Sequence, residues 1–167
     1  TGSNQSAYGA IVVANSAGTG TGIGVLNINN GGSVSTSVST GSNGGVVMAR
    51  NSGNGTINLN TGGTLTAPRV THGGSSSSGT AISTFKFNGG TLVPTMTNNG
   101  TGATSGGYLV GLTRANVRDG GAKFNTSGFD VTVAQGLEHS DIEGDAATDG
   151  GLTKSGLGTL TLSGSNN

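Results

Sequence analysis

Four segments of the chain share one pattern: a short alternation of apolar and polar residues, a pair of glycines, then alternation again. They span residues 25–35, 56–66, 84–93 and, more loosely, 116–125. The glycine pairs begin at 31, 62, 89 and 120, so successive units lie 31, 27 and 31 residues apart. A second feature precedes the first two units: residues 11–16 match residues 46–52 with one insertion. Alternation such as Ile57-x-Leu59 puts the aliphatic side chains on one face of a strand. Paired glycines open positive-φ conformations at a corner. Each unit therefore reads as strand, loop, strand, glycine turn, strand.

One such unit has too few apolar residues to bury them alone. Stacking successive turns about 4.8 Å apart sets Leu on Ile and Val and builds a continuous narrow core. A self-similar period of this length is the signature of a solenoid. An antiparallel sandwich or meander is the competing arrangement, because hairpins also use glycine turns. The expected fold is all-β: one right-handed parallel β-helix (β-solenoid) over residues 1–167, with irregular rungs and Gly-rich turns. Right-handedness follows from the usual sense of parallel crossover connections. Leu26, Leu59 and Leu92 are expected to face inward, and Asn residues beside the turns to form side-chain ladders.

Composition agrees with a narrow core. Only 8% of the residues are charged and 4% aromatic, and 35 of the 167 are Gly. Few large side chains suit a thin column better than a wide globular interior. Disordered chains are usually charge-rich and poor in β-branched residues; this one is rich in regularly spaced Thr, Val and Ile. The seven basic residues (Arg50, Arg69, Lys86, Arg114, Arg118, Lys123, Lys154) are scattered singly and net charge is zero, which argues against nucleic acid as a partner. No apolar run approaches the roughly 20 residues of a membrane span. There is no cysteine, which rules out a disulfide-stapled scaffold and suits export through a narrow pore.

Residues 149–167 read Asp-Gly-Gly-Leu-Thr-Lys-Ser-Gly-Leu-Gly-Thr-Leu-Thr-Leu-Ser-Gly-Ser-Asn-Asn. This segment resembles the autotransporter-associated β-strand repeat, also called the passenger-associated transport repeat. That motif runs Gly-Gly-Leu-x-Lys-x-Gly-x-Gly-Thr-Leu-x-Leu-x-Gly-x-Asn. The family motif continues with an aromatic-Gly segment and another strand, so 149–167 is expected to be the start of a repeat, cut mid-repeat. The resemblance implies a β-helical passenger at the bacterial cell surface, associated with the outer membrane: a stalk or filament-forming subunit with an adhesive role. It implies no particular activity. Expected partners are a surface glycan or cell, and either a second copy stacked head to tail or further rungs of a longer β-helix. Within the motif, Leu152, Leu160 and Leu162 are spaced to point inward, Gly156 and Gly158 to bracket a tight turn, and Lys154 to lie on a solvated face.

The candidate sites are few. Five of the seven acidic residues, Glu138, Asp141, Glu143, Asp145 and Asp149, cluster around His139. Hard cations take six to eight oxygen ligands, so this loop is the candidate cation site, weighed against a solvated acidic protrusion. The calcium nonapeptide and EF-hand spacings are absent. Paired carboxylates could also serve as a glycosidase acid and base, the basis of an alternative reading as a carbohydrate-binding or carbohydrate-degrading β-helix. Such sites need aromatic platforms, and only Tyr8, Tyr108 and four Phe occur. His72 is expected in an exposed loop with residues 73–79. The run 18–22, Gly-Thr-Gly-Thr-Gly, resembles a dinucleotide loop, but no helix is expected after it, and the phosphate-cradling logic then fails. No catalytic residue, cofactor or enzymatic activity is expected.

Overall fold

The structure, a computed structural model, describes residues 11–16, 20–36, 45–73, 81–98 and 106–167. Among them are eighteen strands and no helix. The first rung holds β1 (Ile11–Val12), β2 (Asn15–Ser16), β3 (Ile23–Ile28) and β4 (Ser33–Ser35). The second holds β5 (Val46–Met48), β6 (Arg50–Asn51), β7 (Asn54–Asn60) and β8 (Thr64–Ala67). The third holds β9 (Val70–His72), β10 (Ile82–Asn88) and β11 (Thr91–Pro94). The fourth holds β12 (Leu109–Val110), β13 (Arg114–Val117) and β14 (Ala122–Asn125). The fifth holds β15 (Val131–Val133), β16 (Glu138–His139) and β17 (Leu152–Ser155), after which β18 (Leu160–Leu162) starts the next turn.

Every pairing between these strands is parallel, and each joins one rung to the next. Three sheets run the length of the coil. The first is β1-β5-β9-β12-β15-β18, the second β3-β7-β10-β13-β16, and the third β4-β8-β11-β14-β17; β2 and β6 form a short fourth pair. The chain is a parallel β-solenoid of about four turns, as the repeat predicts.

The alternation places like side chains above like. In the second sheet, Leu26, Ile57, Phe85 and Ala115 form one inward column, and Ile28, Leu59, Phe87 and Val117 form another. The third sheet stacks Val34, Leu65, Leu92 and Phe124. The first stacks Ile11, Val46, Val70, Leu109 and Val133. Leu59 and Leu92 are fully buried and Leu26 is half-buried against them, so all three face inward. Each fully buried Leu, Ile or Phe contributes roughly 1.5–3 kcal/mol. The Phe87 ring ties two columns together, with its centroid 4.4 Å from Phe85 and 5.4 Å from Phe124. Outside, Asn58 donates to Asn27 over 2.6 Å and Asn60 to Asn29 over 2.8 Å, forming the expected ladders.

The corner between the second and third sheets explains the glycine pairs. Gly62 has φ +74° and its missing Cβ would collide with the Asn30 side chain of the rung before. Only Gly meets both conditions. The fourth corner is longer than the motif suggests. Offsets between the third and fourth rungs are 30 in the second sheet and 32 in the third. Gly121 rather than Gly120 therefore accepts the Gly89 N–H. The alignment of residues 11–16 with 46–52 also needs correction. Ile11 pairs with Val46 and Ser16 with Asn51, a constant offset of 35 with no insertion. The inserted gap came from matching Asn15 to Asn51, whose side chains do hydrogen-bond at 2.7 Å although their backbones are one step out of line.

Candidate functional site

The acidic cluster sits on a long corner. Where earlier rungs pass from the second sheet to the third within a few residues, the fifth does so through residues 140–151. This segment folds back over the outer face of β13. Arg114 and Asn116 alternate outward on that strand, and Arg118 follows it. Arg114 binds Glu138 at 3.3 Å and Asp141 at 3.0 Å. Arg118 grips Asp145 through two nitrogens, at 2.8 Å from Nε and 2.5 Å from Nη2. Asp119 accepts the Ala146 N–H at 2.9 Å. Beneath this cover Asn116 is only 2% exposed. Bidentate guanidinium–carboxylate geometry is among the stronger side-chain contacts. The Arg118 hydrogen bonds, then that of Ser140, hold the Asp145 carboxyl down at about 2. Its side chain is 5% exposed, screened by these two partners.

The remaining acids are placed differently. Asp149 lies 3.2 Å from His139 Nδ1 and accepts the Gly151 N–H at 2.8 Å. Glu143 is exposed. The five carboxylates thus divide between Arg114, Arg118, His139 and solvent. Among the described residues no group of three or more His, Cys, Asp or Glu side chains is arranged to hold a metal ion.

His72 departs from the expected exposed loop. It closes β9, is half-buried, and its Nδ1 lies 2.8 Å from Ser83 Oγ. Ser83 Oγ also accepts the Thr113 N–H, and the direction of its bond with His72 follows the imidazole tautomer. Burial lowers the His72 pKa and so favours the neutral ring. Ser83 is fully buried, so the pair is a corner brace closed to substrate. Residues 74–79, Gly18, Thr19 and Tyr8 lie outside the described residues. Ile23–Ile28, the element after the 18–22 run, is a strand.

Tyr108 is wholly buried, and burial raises its pKa well above the usual phenol range. Phe85, Phe87 and Phe124 are core, so none of these four rings is an external sugar platform. Thr64 and Thr66 point outward between Ser33 and Ser35 on one side and Thr91 and Val93 on the other; Lys123 interrupts the hydroxyl row.

Within 149–167, Leu152 stacks on Ala122, Leu160 on Val131 and Leu162 on Val133, all inward. Lys154 is exposed, as expected, although its register places it on the inward-facing row of β17. It stands over Phe124, at the end of the column Val34–Leu65–Leu92–Phe124, and its Nζ donates to Gly156 O at 2.8 Å. The outward Lys of this region is Lys123, paired with Thr153. Sequence spacing could not reveal this, because Leu152 and Lys154 share a face only once β17 is known to run through both.

No helix among the described residues is long and apolar enough to cross a membrane. No model of a known protein family matches the chain, and no curated protein or solved structure matches it.

Proposed function

We propose that the chain is a structural segment of a bacterial cell-surface or secreted protein, a passenger-type stalk that acts as a rigid spacer without catalysis. The observation that supports this reading is the continuity of the inward columns, three from the first rung to the fourth and that of the first sheet to the fifth. Each rung is held by the next through strands of all three sheets, which resists bending and extension in a way that loosely joined modules do not. Most charged groups of the acidic corner are engaged in fastening that corner, which leaves adhesion, where it occurs, to other outward loops. The resemblance of residues 149–167 to the passenger-associated repeat supports a surface location.

The reading is tested on cells producing the protein in its native context, with a membrane-impermeant amine reagent. Labelling of Lys86 and Lys123 on intact cells is expected. Labelling only after lysis overturns the surface location. Incubation of the purified chain with soluble polysaccharides is expected to yield neither reducing ends nor unsaturated products. Their appearance, and its loss on Asp141→Asn or Asp149→Asn, would install the carbohydrate-degrading alternative.

A further inference from the structure

Two Asn rows run along the outer face of the second sheet, and they are not equally complete. In one, Asn29, Asn60 and Asn88 lie on successive rungs. In the other the order is Asn27, Asn58, Lys86, Asn116. Each row is tied by Nδ2 of one rung donating to Oδ1 of the rung before, over 2.6 Å from Asn58 to Asn27 and 2.8 Å from Asn60 to Asn29. Lys86 breaks the second row, because it offers no side-chain carbonyl. The donor that would have used one is Asn116 Nδ2, and it is buried without a hydrogen-bond partner. A buried donor left unmatched is costly. An Asn at position 86 would serve the rungs on both sides, so Lys86 works against the stability of its own row. Local rules broken in this way mark functional positions.

The surroundings of Lys86 suit an anion that also carries hydroxyls. Lys86 is half-buried, and no carboxylate among the described residues lies within ion-pair distance of it. Arg114 and Arg118 on the next rung are, by contrast, held by Glu138, Asp141 and Asp145. Lys86 and Asn116 are ladder neighbours, about 4.8 Å apart, so two donors adjoin without an acceptor. Thr84 and Asn88 flank Lys86 along β10, about 6.6 Å to either side, and Asn58 lies on the rung before. These uncharged hydroxyl and amide groups can exchange hydrogen bonds with sugar hydroxyls. The rings of Phe85, Phe87, Phe124 and Tyr108 are buried, so a neutral sugar has none of them to stack on, whereas an acidic sugar is anchored by charge.

We propose that Lys86, with Asn116, Asn58, Thr84 and Asn88 around it, is a binding site for a carboxylate-bearing sugar of the uronate class. Lys86 Nζ pairs with the carboxylate, and a carboxylate oxygen accepts the Asn116 Nδ2–H that the broken row leaves over. The neutral side chains take the ring hydroxyls. The inference rests on the register of the second sheet and is independent of the surface-stalk reading. It is tested by titrating the isotope-labelled chain with trigalacturonate and following the Asn58 and Asn116 side-chain amide resonances, where saturable shifts are expected. Lys86→Asn completes the row and is expected to raise the urea midpoint while weakening binding at least about tenfold. Lys86→Ala replaces it in the binding assay if the Asn variant does not fold. Lys123→Ala removes the same charge from the third sheet and is expected to leave binding unchanged. The methyl ester of the same trisaccharide is expected not to bind. Absence of saturable shifts overturns the proposal, as does equal binding by Lys86→Asn or by the ester. Equal binding of a glutamate trimer, which has carboxylates but no ring hydroxyls, overturns the assignment to a sugar. A lowered urea midpoint in Lys86→Asn overturns the reading of Lys86 as a break in the row.

Discussion

The corner at Gly62–Gly63 and the corner at residues 140–151 turn the chain between the same two sheets by opposite means. At the first, the backbone does the work: positive φ, no Cβ, and close approach of the rung before. At the second, side chains do it: Arg114 and Arg118 on one rung take Asp141 and Asp145 from the next. The glycine corner is fixed by sterics and is insensitive to pH and salt. The acidic corner is fixed by charge and responds to both. The core columns accept both a two-glycine corner and one of twelve residues, provided something outside the core returns the chain to register.

The largest expected effects lie in the columns that both corners serve. Leu59→Pro removes a ladder donor and a fully buried side chain from the central strand β7. It should abolish cooperative unfolding and much of the β-signal in circular dichroism. Phe87→Ala empties the ring site between Phe85 and Phe124. A loss of about 3–5 kcal/mol in urea denaturation is expected. Gly62→Val tests the glycine corner directly. Its left-handed backbone alone should cost about 1–2 kcal/mol, and the clash with Asn30 adds to that. An effect near zero would show that this corner, too, is held by side chains.

Arg118→Ala tests the other side. It should leave the urea midpoint nearly unchanged while raising hydrogen exchange and proteolysis within 140–149. Acid should do the same without mutation. Asp145 titrates at about 2 in the folded chain against an ordinary value of 3.8. Its contribution is therefore complete above about pH 4 and is lost as pH falls through 2. Exchange at 140–149 should rise in that window, ahead of exchange at Gly62–Gly63. Smallest is Asn58→Ala, which removes one rung of the Asn ladder and should cost about 1 kcal/mol or less.

Much of the solenoid was legible because two quantities are periodic. Steps of 31, 27 and 31 between glycine pairs lie within one residue of the third-sheet offsets of 31, 27 and 32. The first sheet was legible only in its first pair, where residues 11–16 match 46–52. Its offsets are 35, 24, 39, 24 and 29, too uneven to follow as a period. The acidic corner was legible as a cluster but not as a clasp. Its signal was present all the same. Arg114 to Asp141, Arg118 to Asp145 and Asp119 to Ala146 are each 27 residues apart, close to the spacing between glycine pairs. Reading the charges at the period of the glycines would have paired them. His72 was misplaced for a different reason. It lies next to a Gly-rich run, and composition there says turn while the backbone is still strand.

The central claim is that like residues lie above like in strands of one direction. It is tested most directly by interstrand nuclear Overhauser contacts in the labelled chain. The parallel arrangement predicts amide–Hα contacts joining Ile57 with the neighbourhood of Phe85 and Leu59 with that of Phe87. Close Hα–Hα contacts between residues 54–60 and 64–67, folded against each other as a hairpin across Gly62–Gly63, would contradict it.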